Sequence, residues 1–180
     1  MTIATFSSKV AAARASKSAL AVRQPKFASV WSSFSKASHT GYADLYGMPS
    51  IERAGLVKAG APSSLVIVIS KEMDMSKDRF VQIVGLSRAT VARKIANKAD
   101  LSVDESERLV GLAKLIGQVE TIVKQSGNPV GFKPARWFSE WIEQPAAALG
   151  GRKPEELLDT SDGREAVAKL LAQMQSSAYA

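Results

Sequence analysis

The chain has 180 residues, long enough for one compact domain or for two small ones with a tail. Apolar residues supply 46% and charged residues 23%, a balance that excludes wholesale disorder. With no cysteine and a single histidine, His39, the chain has no disulfides, zinc–thiolate or iron–sulfur sites and no thiol nucleophile. Little remains for triad chemistry either, so no catalytic residue, metal site or cofactor is expected. The strongest apolar run, Leu65 to Ile69, is far too short for a bilayer, and residues 1–20 do not read as a secretory h-region, so no secretory segment is expected. A cytoplasmic protein is the expectation.

The net charge of +7 is unevenly distributed. Residues 1–50 hold six bases and one acid, residues 51–100 nine bases and five acids, and residues 101–180 nine bases and eleven acids. A basic front and a faintly acidic back suit two different partners, a polyanion for the first; an unevenly charged solvated surface is the plain alternative.

Residues 1–23 are rich in Ser, Ala, Lys and Arg, poor in large apolar groups, and read either as a disordered basic arm or as an organellar presequence. Phe27, Val30, Trp31 and Phe34 follow at i, i+3, i+4, i+7, which places them on one face of a short helix. That helix could dock on the body, pair with a second copy or stay loose. Gly41, Gly47 and Pro49 then predict a break.

From Ser50 the text is helical. Ser50 is expected to cap Ile51 to Lys58, ended by Gly60 and Pro62. The run from Ser63 to Met73 has β propensity, but a lone strand has no partner for its backbone, so a helix is expected. Ser76 caps Lys77 to Val84, Gly85 stops it, and Ser87 caps Arg88 to Asn97. Ser102 and Glu105 form a capping box at the head of a long helix to about Lys124, with Leu109, Leu112, Ala113, Ile116, Val119 and Val123 as its stripe. After Gly127 and Pro129 come a helix from Pro134 to Ile142, a turn ended by Gly150 and Gly151, a short helix after Pro154, and a last helix capped by Thr160. The expected fold is all-α. It divides into a basic extension over residues 1–45, a DNA-binding and dimerisation region over 46–126, and a small helical domain over 127–180.

Residues 75–97 have the grammar of a helix-turn-helix: two short helices, a glycine turn, and Phe80, Val84, Leu86, Val91 and Ile95 facing inward. From Gly85 to Lys98 there are four bases and no acid, as a helix entering the major groove requires. Ala89 and Ala92 allow close approach, and Arg93 is long enough for a guanine edge. Ser87, Thr90 and Lys94 suit phosphates, and Arg88 and Asn97 complete the face. The bland reading of the same pattern is a helical hairpin with a wet polar side.

The back half carries a more particular set of residues. Ala135-Arg136-Trp137, Trp141-Ile142, Pro145, Ala148 to Gly151, Pro154, Leu157-Leu158, Gly163 and Leu170-Leu171 follow one another in order. This stretch resembles the toxin-binding domain of Xre/MbcA/ParS-type antitoxins. Leu86 to Arg93 and Leu101 to Leu109 resemble the family's Xre-like DNA-binding portion. The resemblance covers about residues 50–180 and leaves the N-terminal extension outside.

It implies a non-enzymatic homodimer that neutralises a RES-type toxin, an enzyme of NAD or ADP-ribose chemistry, and represses its own operon on operator DNA. By resemblance the toxin-binding residues are Arg136, Trp141, Gly150, Gly151, Arg152, Leu158, Met174, Tyr179 and Ala180, with the terminal residues shielding the toxin's cleft. Residues 173–178 depart from relatives, which often have a glycine before the terminus.

Read from the residues alone, Trp137 and Trp141 are core aromatics at i, i+4, and Gly150-Gly151 is a turn with no P-loop signature. Two other readings stay open: a toxin-binding interaction module without DNA binding, and a stand-alone transcription regulator.

Overall fold

A computed structural model describes residues 29–33, 41–127 and 129–177. Among these the regular elements are helices, with one isolated bridge between Pro62 and Asp100. The protein is all-α, as its periodicities predict.

The spine is a 23-residue helix, Val103–Gln125. Both halves of its predicted capping box form: the Ser102 hydroxyl accepts the Glu105 amide at 3.3 Å, and the Glu105 carboxylate accepts the Ser102 amide at 2.7 Å. Leu109, Leu112, Ala113, Ile116 and Val119 are buried as the stripe requires, but so are Val110, Leu115 and Gln118, while Val123 is only half-buried. Burial is wider than one stripe because helices pack around this spine from several sides.

One of them is a finding the sequence did not announce. Gly41–Gly47 is a helix, α1, where a break was expected. Its Tyr42 and Leu45 are buried against the spine. The approach is so close that a Cβ on Gly117 would lie 2.0 Å from the Tyr42 carbonyl oxygen. Buried Glu120 accepts the Ala43 amide at 3.0 Å, and the Tyr42 phenol donates to Glu72. Long-range partners hold a segment whose own glycines favour a turn. This helix crosses the boundary drawn at residue 45. Just before it, Val30 and Trp31 of a helical turn at 29–33 pack on the body; Phe27 and Phe34 lie outside the described residues.

α2 spans Ser50–Ala59. Ser50 does not cap it: Pro49 holds that position without a side-chain bond, and the Ser50 hydroxyl instead accepts Arg53 at 3.4 Å. Arg53 also donates to the Leu45 and Met48 carbonyls at 3.2 and 2.6 Å, closing the end of α1. Gly60, at φ +85°, ends α2. The ambiguous apolar run is the helix α3, Leu65–Glu72, with Leu65, Val66 and Ile69 inward.

Then come α4, Lys77–Ile83, and α5, Arg88–Ala96, and after them the spine, α6. α7 is Pro134–Trp141, and α8, Ser161–Ser177, lies along the spine after two short 3-10 turns, Ala147–Leu149 and Pro154–Leu157.

Candidate functional site

The α4–α5 pair is built by local rules. The Ser76 hydroxyl accepts the Arg79 amide at 3.2 Å, and the Ser87 hydroxyl accepts the Thr90 amide at 3.4 Å. Gly85, at φ +71°, makes the turn. Phe80, Val84, Leu86 and Val91 are buried as expected, together with Val81.

The opposite side of α5 is open. Arg88, Ala89, Ala92, Arg93 and Asn97 are exposed, and Thr90 is half-buried. The cations, equivalent in sequence, differ in their surroundings. Among the described residues no carboxylate pairs with Arg88, Arg93 or Lys98, and Arg88 donates to the Gln82 amide oxygen at 3.2 Å. Lys94, expected to meet phosphate, is half-buried and paired with Glu105 at 2.5 Å. The exposed Ser87 hydroxyl accepts from its own helix and keeps its proton free to donate. Gln82 and Glu105 were not singled out for this surface; Glu105 was legible only as a cap.

In the back half, Trp137 and Trp141 stack with ring centres 5.9 Å apart and planes 9° apart. Phe132 tilts against Trp137 at 6.3 Å, and Phe138 against Trp141 at 6.0 Å. Phe138 is fully buried, whereas Trp137 and Trp141 are half-buried against the core. Arg136 is exposed and pairs with Glu140 at 3.1 Å and Asp74 at 3.8 Å.

Gly150 and Gly151 take φ of +67° and +80° in an exposed turn, with open space where a side chain would stand. The Ala146 amide donates to the Arg152 carbonyl and the Gly151 amide to the Ala146 carbonyl, both at 3.0 Å, so residues 146–152 close into a loop that projects Arg152. Leu158, expected at the toxin interface, is only 1% exposed and sits in the core. Its backbone is fixed beside it: Arg164, itself 5% exposed, donates to the Leu158 carbonyl at 2.9 Å. Thr160 caps α8 through the Gly163 amide at 3.1 Å. Met174 is exposed; Tyr179, Ala180 and His39 lie outside the described residues. Among the described residues no cluster of His, Asp or Glu could hold a metal, and no helix is long and apolar enough to cross a membrane.

Comparison with known proteins agrees with both halves. Residues 52–114 match the antitoxin Xre-like helix-turn-helix domain, and residues 132–176 match the antitoxin Xre/MbcA/ParS C-terminal toxin-binding domain. The chain is 40% identical over 139 residues to the Prs ADP-ribosylating antitoxin of Sphingobium sp. (strain YBL2), covering 77% of this chain and 87% of that one. It belongs to the Xre/MbcA/ParS antitoxin family. Antitoxin Xre of Photorhabdus laumondii subsp. laumondii is more distant, 21% identical over 120 residues, 67% of this chain and 76% of that one.

In this antitoxin the two halves are joined by arginines. Arg79 of α4 reaches Glu143 at 2.8 Å and Glu155 at 3.0 Å. Arg108 of α6 donates to the Asp159 carbonyl at 2.7 Å and to the Gly85 carbonyl in the helix-turn-helix turn at 3.3 Å. Arg164 returns the contact, gripping both Glu107 oxygens at 2.7 Å.

Proposed function

We propose that this antitoxin binds and neutralises a RES-type toxin of NAD or ADP-ribose chemistry by blocking its active site, and that as a homodimer it represses its own operon by laying α5 into the major groove of operator DNA. The observation that carries the DNA half is the exposed, acid-free face of α5, where Arg88, Arg93 and Lys98 have no carboxylate partner among the described residues. An unneutralised basic stripe on a capped helix is what phosphate and guanine edges attract.

The toxin half rests on the family's toxin-binding domain over residues 132–176 and on the name of the Sphingobium relative, which joins an antitoxin with ADP-ribosylation. Exclusion of a dinucleotide from a pre-formed pocket needs no chemistry from the excluding chain. Half-buried Trp141, with Arg136, Gly150, Gly151, Arg152 and Met174, supplies the described part of that interface; Tyr179 and Ala180 would complete it at the cleft.

The test is co-expression with the product of the adjacent gene, scoring relief of growth arrest and co-purification, alongside retardation of the chain's own promoter. Relief and retardation together are expected. Toxin association without retardation at low salt would leave an interaction module, and retardation without a toxin a lone regulator.

A further inference from the structure

Lys94 lies on the outward arc of α5 in sequence, yet the structure gives it a different employment from its neighbour Arg93. Its side chain is 20% exposed and that of Glu105 is 13% exposed, so the pair is largely withdrawn from water. The Glu105 oxygen that accepts Lys94 at 2.5 Å is the same one that accepts the Ser102 amide at 2.7 Å. One carboxylate oxygen therefore closes the cap of the spine and holds the last turn of the helix next to it.

The need for such a tether follows from packing. Val91 is the one fully buried residue of α5 and Ile95 packs half-buried on the core, so apolar contact holds the last turn of the helix only in part. The following segment is stitched at both ends: the Ala99 amide donates to the Lys94 carbonyl at 2.9 Å, and the Leu101 amide to the Ala61 carbonyl at 2.8 Å. Between them Lys98 turns through φ +51°. The ion pair adds a polar hold on that turn, one residue after Arg93.

We infer that Lys94 is a positioning residue of the DNA-reading surface: latched by Glu105, it sets the roll of α5 and so the aim of Arg93, and it neutralises no phosphate. This rests on the DNA-binding reading above.

The test uses the full chain and the charge-balanced double variant Lys94→Met/Glu105→Gln. Glutamine still serves the capping box, so the head of the spine is kept. Affinity is measured against salt on a duplex carrying the chain's own promoter and on one of scrambled sequence, with Arg93→Ala as reference. The double variant should keep the wild-type log–log salt slope on both duplexes and lose about three- to tenfold on the promoter alone, because only base readout depends on aim. Arg93→Ala should lower the slope by about 0.9 if it meets a phosphate, or lose promoter preference if it meets a base. Lys94→Arg, which retains the pair, should bind like wild type.

A double variant whose slope falls by about 0.9, or which weakens equally on both duplexes, makes Lys94 a phosphate ligand and overturns the inference. So does an unchanged promoter affinity. Wild type that binds neither duplex would instead refute the DNA-binding reading itself, and the latch would lose its purpose with it.

Discussion

Gly163 sets two physical effects against each other with opposite signs. It lies in the first turn of α8, where alanine is intrinsically the better helix former by about 1 kcal/mol. Its surroundings say otherwise. A Cβ there would stand 1.9 Å from the Leu157 carbonyl oxygen and 2.7 Å from the Thr160 hydroxyl oxygen.

Reaching ordinary contact requires the 157–160 turn to retreat by about 1.5 Å. That movement strains a packed region by about 1–3 kcal/mol and loosens the Thr160 cap, a further cost of about 1 kcal/mol. The tertiary cost outweighs the propensity gain, so Gly163→Ala should destabilise the chain by about 1–3 kcal/mol net.

Urea unfolding followed by far-ultraviolet circular dichroism measures this as a lower midpoint at unchanged slope. Gly47→Ala is the control, because that glycine has open space around its Cβ position and should lose nothing. A Gly163→Ala midpoint equal to or above wild type would refute the argument from close approach.

Three further outcomes follow from particular contacts. Arg93→Ala should cost about 1–3 kcal/mol on the promoter while toxin co-purification is unaffected; an equal loss of both would mean the variant is misfolded rather than misread. Deleting residues 175–180 should weaken toxin neutralisation, scored by growth, and leave promoter affinity alone; full neutralisation by the shortened chain would remove the terminal residues from the mechanism.

The acid limb of stability should depend on Glu105. Burial pushes this carboxyl up, but the hydrogen bonds from Lys94 and Ser102 and the Lys94 charge outweigh that and hold it below the usual carboxylate value. A lowered folded value stabilises the chain above the unfolded value and loses that contribution as pH falls through the folded one. Glu105→Gln should therefore flatten the fall in urea midpoint on acidification, and an unaltered profile would show that the pair contributes nothing.

Much of this molecule was legible before any coordinates. Ser76, Ser87, Ser102 with Glu105, and Thr160 act within three residues of themselves, so their spacing predicts the helix starts they make. The inward set Phe80, Val84, Leu86 and Val91 likewise follows from helical periodicity, and the glycine turns at Gly85 and Gly150 from backbone freedom. For the same reason the order of motifs in the back half was enough to suggest the family.

What tertiary structure alone decided depends on which groups the packed helices bring face to face. Gly41–Gly47 is held as a helix by Glu120 of the spine and Glu72 of α3, while Ser50 lost its predicted cap to a neighbouring proline and an arginine tie. Lys94 and Arg93 are both cations on the outer arc of one helix. Leu158 is an apolar residue beside an exposed loop. Only the packed structure sets a Glu105 carboxylate against Lys94 and folds Leu158 into the core. Local periodicity assigns a residue to a helix face; what stands opposite that face is set by how the helices pack, across 77 residues for Ala43 and Glu120 and across 11 for Lys94 and Glu105.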